Sequence, residues 1–218
     1  VSDYVRDRLL LGAVYGNGTD IDDDISAFIS NPMEHAEASK IALFSIADYA
    51  WNMDAYKSDA SWRRAVRYLM PGHAAALQVF ASHNSDLGGN EHDFRREESE
   101  QIRPALERLL DAYCREGKRE VAAASAVTEE CERMIASADL LLASDENPAL
   151  IKEISPWLMQ FKLLGEFGRE VLCMLAAQCD GKKTELEKAA SHAKALQVLM
   201  KKIDATYNQN GFQPGVKT

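Results

Sequence analysis

Between Ser155 and Gln178, apolar side chains return at helical spacing: Trp157, Leu158, Phe161, Leu164, Phe167, Val171, Leu172 and Leu175. A stripe of that length needs partners along its whole face, so it constrains the fold more than any other stretch. Pro156 suits the first helical position, where a missing N–H costs nothing. The spacing therefore predicts a helix over 155–178. Further helices are expected at about 98–116, at 118–144 with Met134, Ala138, Leu141 and Leu142 on one face, and at 182–207. A short piece, 147–154, joins the second of these four to the third. Antiparallel helices with short connections make a bundle. From residue 60 onward no stretch carries a strand pattern. Helices are also expected over 61–69 and 72–83, broken at Met70-Pro71-Gly72, and residues 208–218 read as coil.

The first sixty residues are patterned differently. Leu9 to Tyr15 is a continuous apolar run closed by Gly16-Asn17-Gly18, which suits a strand buried on both faces. Thr19 then caps a short acidic helix, Asp20 to Ile25, and Ser26 to Ile29 reads as a second strand. Pro32 opens a helix running to about Trp51, with Asn31 as its N-cap and Glu34 completing a capping box. This order is the end of a repeating α/β architecture. Two strands do not make a stable parallel sheet, so the segment reads as the tail of something larger. The start, Val1-Ser2-Asp3-Tyr4, has no charged n-region and reads as a cut inside a longer protein. The loop His83 to Asn90 is the domain boundary, giving residues 1–92 and a helical bundle over 93–218.

Charge narrows the function classes. There are 25 Lys and Arg against 34 Asp and Glu, a net charge of −9. With no basic stripe, the chain is a poor partner for nucleic acid or an anionic membrane. No apolar run approaches the roughly 18 residues that a bilayer span requires. Cys114, Cys131, Cys173 and Cys179 lack disulfide or zinc-ligand spacing and read as free thiols on helices. Asp22, Asp23 and Asp24 fan out around a first helical turn and complement its dipole rather than converge for acid/base work. His83, Asp86, Glu91, His92 and Asp93 crowd one loop without a metal-binding spacing. The residues point to no cofactor and no metal. Asn31 follows a strand end, where α/β folds bind ligands, and it also begins a helix. Spacing leaves both roles open, with the cap the commoner.

Several motifs carry a resemblance. They are Asp3-Tyr4-Val5-Arg6-Asp7, Leu9-Leu10-Leu11-Gly12, Val14-Tyr15-Gly16-Asn17, Asn31-Pro32-Met33-Glu34-His35-Ala36-Glu37 and Ala50-Trp51-Asn52. His83-Asn84-Ser85-Asp86-Leu87-Gly88, Arg95-Arg96-Glu97-Glu98-Ser99, Gln160-Phe161-Lys162-Leu163 and Gln213-Pro214-Gly215-Val216-Lys217-Thr218 continue it. Together they closely resemble bacterial β-N-acetylglucosaminidases of the O-GlcNAcase type, the hyaluronidase-like glycoside hydrolase family eighty-four, and most of all its gut Bacteroides branch. The resemblance implies a mainly α chain: a helical bundle preceded by the last β-α-β-α portion of a TIM-type (β/α)8 barrel, with residues 1–92 as the barrel remnant.

The same resemblance implies a retaining hydrolase in which the substrate's own acetamido oxygen is the nucleophile, acting on N-acetylglucosamine-bearing glycoconjugates outside the cytoplasm, in a secreted or periplasmic setting. The family's catalytic aspartate pair matches nothing here, so the chain alone is expected to be inactive. Asp3 and Asn31 match family positions that hydrogen-bond the sugar's outer hydroxyls, which favours sugar contact for Asn31 alongside any capping role. A bundle that only docks glycosylated peptide or a protein partner is the alternative. Without their barrel neighbours, Leu9 to Val14 and Ile41 to Ile46 would expose apolar surface. Self-association, or altered packing of residues 1–57, is then expected.

Overall fold

A computed structural model describes residues 9–21, 23, 25–85 and 99–207, apart from the Cys114 side chain. Among these described residues are seven helices: α1 (Ala36–Trp51), α2 (Ser58–Leu69), α3 (Ala74–Ser82), α4 (Arg103–Glu116), α5 (Val121–Leu142), α6 (Pro148–Cys179) and α7 (Lys183–Tyr207). Helix α6 is the axis, packed between α5 and α7 and touching α1; α3 and α4 lie on α5, and α2 joins α1 to α3. Gly117 and Gly181, both left-handed, close the turns after α4 and α6. The mainly helical bundle expected from the apolar stripes is what the chain forms.

Helix α6 departs from expectation at its start. It runs unbroken from Pro148 to Cys179, and Pro156 lies inside it. The true cap is Asn147, whose side chain accepts from Leu150 N at 3.1 Å, with Pro148 filling the first position. Pro156 cannot donate to the Lys152 carbonyl. The Ser155 hydroxyl takes that carbonyl instead, at 3.4 Å. Trp157, Leu158 and Phe161 are buried, whereas Leu164 to Leu175 of the same stripe are only partly covered.

Neither predicted strand forms among the described residues. Leu9 and Leu11 are fully buried, as the apolar run required, but their backbone has no ladder partner. Its polar groups are met one at a time. Leu11 N donates to Asn84 O at 2.8 Å and Val14 N to Ser45 Oγ at 2.9 Å. Trp62 Nε1 donates to Leu11 O at 2.7 Å, and Tyr56 Oη to Val14 O at 2.7 Å. Side chains from α1, α2 and the turn between them, with one backbone carbonyl after α3, thus replace neighbouring strands, which satisfies these backbone groups without a sheet. The short acidic helix also does not form among the described residues; six residues give too few internal bonds to offset nucleation.

One apolar core crosses the predicted boundary, joining Leu9, Leu11, Ile41, Trp62 and Phe80 to Met134, Leu141, Trp157 and Phe161. The exposed patch expected over Leu9 to Val14 and Ile41 to Ile46 is therefore absent: Leu9, Leu11 and Ile41 are fully buried in this core, and the other apolar side chains of the two runs are partly buried. The exposed apolar side chains of this end are others, chiefly Ile29 at 92% and Trp51 at 89%.

Two glycines allow α5 and α6 to cross closely. A Cβ at Gly165 would lie 2.9 Å from both Cys131 O and Ile135 Cγ1, and one at Gly168 would lie 2.6 Å from Cys131 Sγ. The first contact is with backbone, which cannot swing aside. Gly165→Ala is expected to cost about 2 kcal/mol by overpacking, outweighing the gain in helix propensity of about 1 kcal/mol. A urea midpoint equal to or above that of the parent would contradict this packing.

Candidate functional site

The turn before α1 carries the one described residue with a sequence claim to a ligand. Asn31 and Pro32 are exposed, Met33 is half-buried, and α1 begins only at Ala36. Asn31 is therefore not the helix cap. His35 occupies that position, and its side chain makes no capping bond. The cap comes from elsewhere in the chain. Glu153 Oε2, on α6, accepts from Glu37 N at 2.9 Å and Ala38 N at 3.0 Å. A carboxylate there satisfies two orphan donors and faces the positive end of the α1 dipole. Glu34, expected to complete a local capping box, is exposed and takes no part.

Further contacts fix the turn. Ser39 Oγ donates to Met33 O at 3.1 Å, and Leu10 N lies 3.1 Å from Met33 Sδ. The His35 ring meets the buried Trp157 ring edge-on, 5.1 Å between centroids. Glu153 and Trp157 are four apart on α6 and so share one face. Asn31 thus projects from a turn held at α1, at the 9–14 segment and at the bundle. It is itself engaged in an interaction with the chain. Its amide both donates and accepts, which matches sugar hydroxyls that do the same.

The other expectations separate here. Asp3 lies outside the described residues, as do Asp22, Asp24, Asp86, Glu91, His92 and Asp93. Asp23 is exposed. His83 is largely covered and committed: Nδ1 lies 2.6 Å from Ser99 Oγ and Nε2 2.8 Å from Glu130 Oε1. Among the described residues no group of three or more His, Cys, Asp or Glu is placed to hold a metal. No described helix is long and apolar enough to cross a membrane. Of the four cysteines, Cys131 is buried and Cys173 and Cys179 are exposed free thiols. The latter two line a cavity of about 400 Å³ between α4, α5 and α6. Its cations Lys118, Arg119 and Arg169 already face Glu116, Asp180 and Glu132.

Sequence reasoning missed three carboxylates that clamp the first helices to the bundle. Besides Glu153, Glu146 Oε1 accepts from Gly72 N at 2.7 Å while its Oε2 meets His73 Nδ1 at 2.9 Å. Glu130 joins His83 to Arg133. These contacts span 73, 47 and up to 116 residues, and no local pattern announces them. For Glu130 and Glu153 the hint is an acid on an otherwise apolar helix face; Glu146, in the turn between α5 and α6, carries no such hint.

Comparison with known proteins gives two family matches and several similar solved structures. Residues 98–218 match the family described as bacterial GH84, post-catalytic domain. Residues 1–82 match the family described as β-N-acetylglucosaminidase. The solved structure of CpGH84B is similar at 26% identity and a TM-score of 0.85, over 93% of this chain and 35% of that one. CpGH84D is similar at 25% identity and 0.79, over 94% and 34%. An O-GlcNAc hydrolase mutant of Thermobaculum terrenum shares the fold at 18% identity and 0.72, over 98% and 51%. The chain thus spans about a third of the length of the first two and half of the third.

The His83 hydrogen bond, opposed by burial and aided by Arg133, holds the Glu130 carboxyl below its usual range. Because the folded carboxyl binds its proton less readily than the unfolded one, it stabilises the fold above the ordinary glutamate pKa of about 4.3. That contribution is lost as pH falls through the lowered value. Glu130→Gln is expected to cost about 2 kcal/mol at neutral pH. Urea unfolding of both proteins from pH 7 to pH 3 should show the gap constant at first and shrinking at the acid end; a pH-independent gap would contradict it.

Proposed function

From the premise that the chain belongs to the bacterial glycoside hydrolase family GH84 and carries its post-catalytic domain, we propose that it is part of a retaining enzyme removing terminal N-acetylglucosamine from glycoconjugates. The carrying observation is the junction of two matches in one chain, a β-N-acetylglucosaminidase segment over 1–82 and the post-catalytic segment over 98–218. These matches support a division into a barrel remnant, 1–92, and a bundle, 93–218.

The reaction proposed is substrate-assisted. The acetamido oxygen of the substrate attacks its own anomeric carbon as the glycosidic C–O bond breaks and the aglycone leaves as an alcohol, taking up a proton; water then adds to the anomeric carbon, gives up a proton and opens the cyclic intermediate, so configuration is retained. The chemical groups for that step are not assigned to this chain. Its own contribution is binding. Asn31, exposed on its anchored turn, and Asp3 hydrogen-bond the sugar's outer hydroxyls, one as amide and one as carboxylate. Ile29 and Trp51, almost fully exposed, mark the surface that the rest of the barrel would cover. In the chain by itself that surface promotes self-association.

The chain by itself, given an aryl N-acetyl-β-glucosaminide, is expected to release nothing above background and to sediment as an associated species. The complete gene product hydrolyses the same compound, and Asn31→Ala lowers its kcat/KM about tenfold or more, the loss of one good hydrogen bond to substrate. Turnover by the chain alone, abolished by Asp23→Asn, would overturn the assignment of the acidic cluster. Wild-type kinetics for Asn31→Ala would remove the sugar contact.

A further inference from the structure

We propose that Glu153 of the bundle is a positioning residue for sugar binding, acting through the first turn of α1 on Asn31. This rests on the reading of Asn31 as a sugar contact.

Asn31 does not set the start of the helix that follows it. It stands five residues before α1 and contributes nothing to the cap. What sets the start of α1 is the Glu153 carboxylate, bound to Glu37 N and Ala38 N from 116 and 115 residues away. Ser39 follows Ala38 directly, is buried, and holds Met33 O. Position therefore passes from Glu153 to the 37–38 amides, to Ser39, to Met33, and across rigid Pro32 to Asn31. Trp157, on the same face of α6, fixes His35 between these points.

Without the Glu153 carboxylate, the two amides at 37 and 38 lose their acceptor and the first turn of α1 frays. Met33 then loses the fixed Ser39 hydroxyl and keeps its contact with Leu10 N, and residues 31–35 gain conformations. A turn that must be ordered on binding weakens affinity, which appears chiefly in KM. The bundle thus acts on the substrate without touching it.

The test is a double-mutant cycle in the complete gene product, read as kcat/KM on an aryl N-acetyl-β-glucosaminide. Glu153→Ala is expected to lower kcat/KM about fivefold, mainly by raising KM, and Glu153→Gln less, because its amide oxygen still accepts. In an Asn31→Ala background the Glu153→Ala loss should shrink to less than twofold. Glu146→Ala removes a comparable clamp at the turn between α2 and α3; it should lower the Tm and leave KM unchanged. If Glu153→Ala fails to fold, the cycle is run with Glu153→Gln, whose loss must likewise vanish in the Asn31→Ala background. An equal loss in both backgrounds, or none in either, overturns the positioning role while leaving the sugar contact standing. Wild-type kinetics for Asn31→Ala alone overturn both.

Discussion

The carboxylate of Glu153 against the first turn of α1 is the contact on which the candidate site depends. It exists only because α6 starts early. A helix beginning at Pro156 would leave Glu153 in a linker, with no fixed relation to Trp157. The continuous helix puts both on one face, four residues apart, where one caps α1 and the other meets His35. Pro156 is tolerated because Ser155 takes the carbonyl that the proline leaves free, and because the surrounding helices bury the ring.

The same economy recurs at the other joints between the first helices and the bundle. Glu146 reaches the Gly72 amide and His73, and Glu130 reaches His83. The Glu130–His83 bond is largely shielded from solvent, where a hydrogen bond to a charge is stronger than among solvated pairs, whereas the Glu146 contacts lie at the surface. Exposed pairs such as Arg115–Asp111 and Lys183–Glu187 contribute little by comparison. What joins the parts is one continuous apolar core, with three acids setting its geometry.

The bundle was legible in the sequence because its signal is local and repeated. Apolar spacing located the helices, Met70-Pro71-Gly72 ended α2, and glycines closed two of the turns. The run Leu9 to Val14 was legible as buried but not as to backbone form. Apolarity reports burial, whereas strand pairing depends on neighbours; here Trp62, Tyr56 and Ser45 supply the bonds that strands would have supplied. The start of α1 was misread for the same reason. Asn31, Pro32 and Glu34 make a complete local cap, yet a carboxylate more than a hundred residues away competes with it and wins. Asn31 stands outside the cap because its helix begins elsewhere. The family motifs carried the reading of Asn31 as a sugar contact; spacing alone left it undecided.

The central claim is that the bundle, through Glu153, holds the turn bearing Asn31. Amide hydrogen exchange at Glu37 and Ala38 measures this directly, comparing the wild type with Glu153→Ala. The account predicts strong protection of both amides in the wild type and its loss in the variant, with the amides inside α5 unchanged. Equal protection in the two proteins would mean that α1 is capped without Glu153, and would contradict the account.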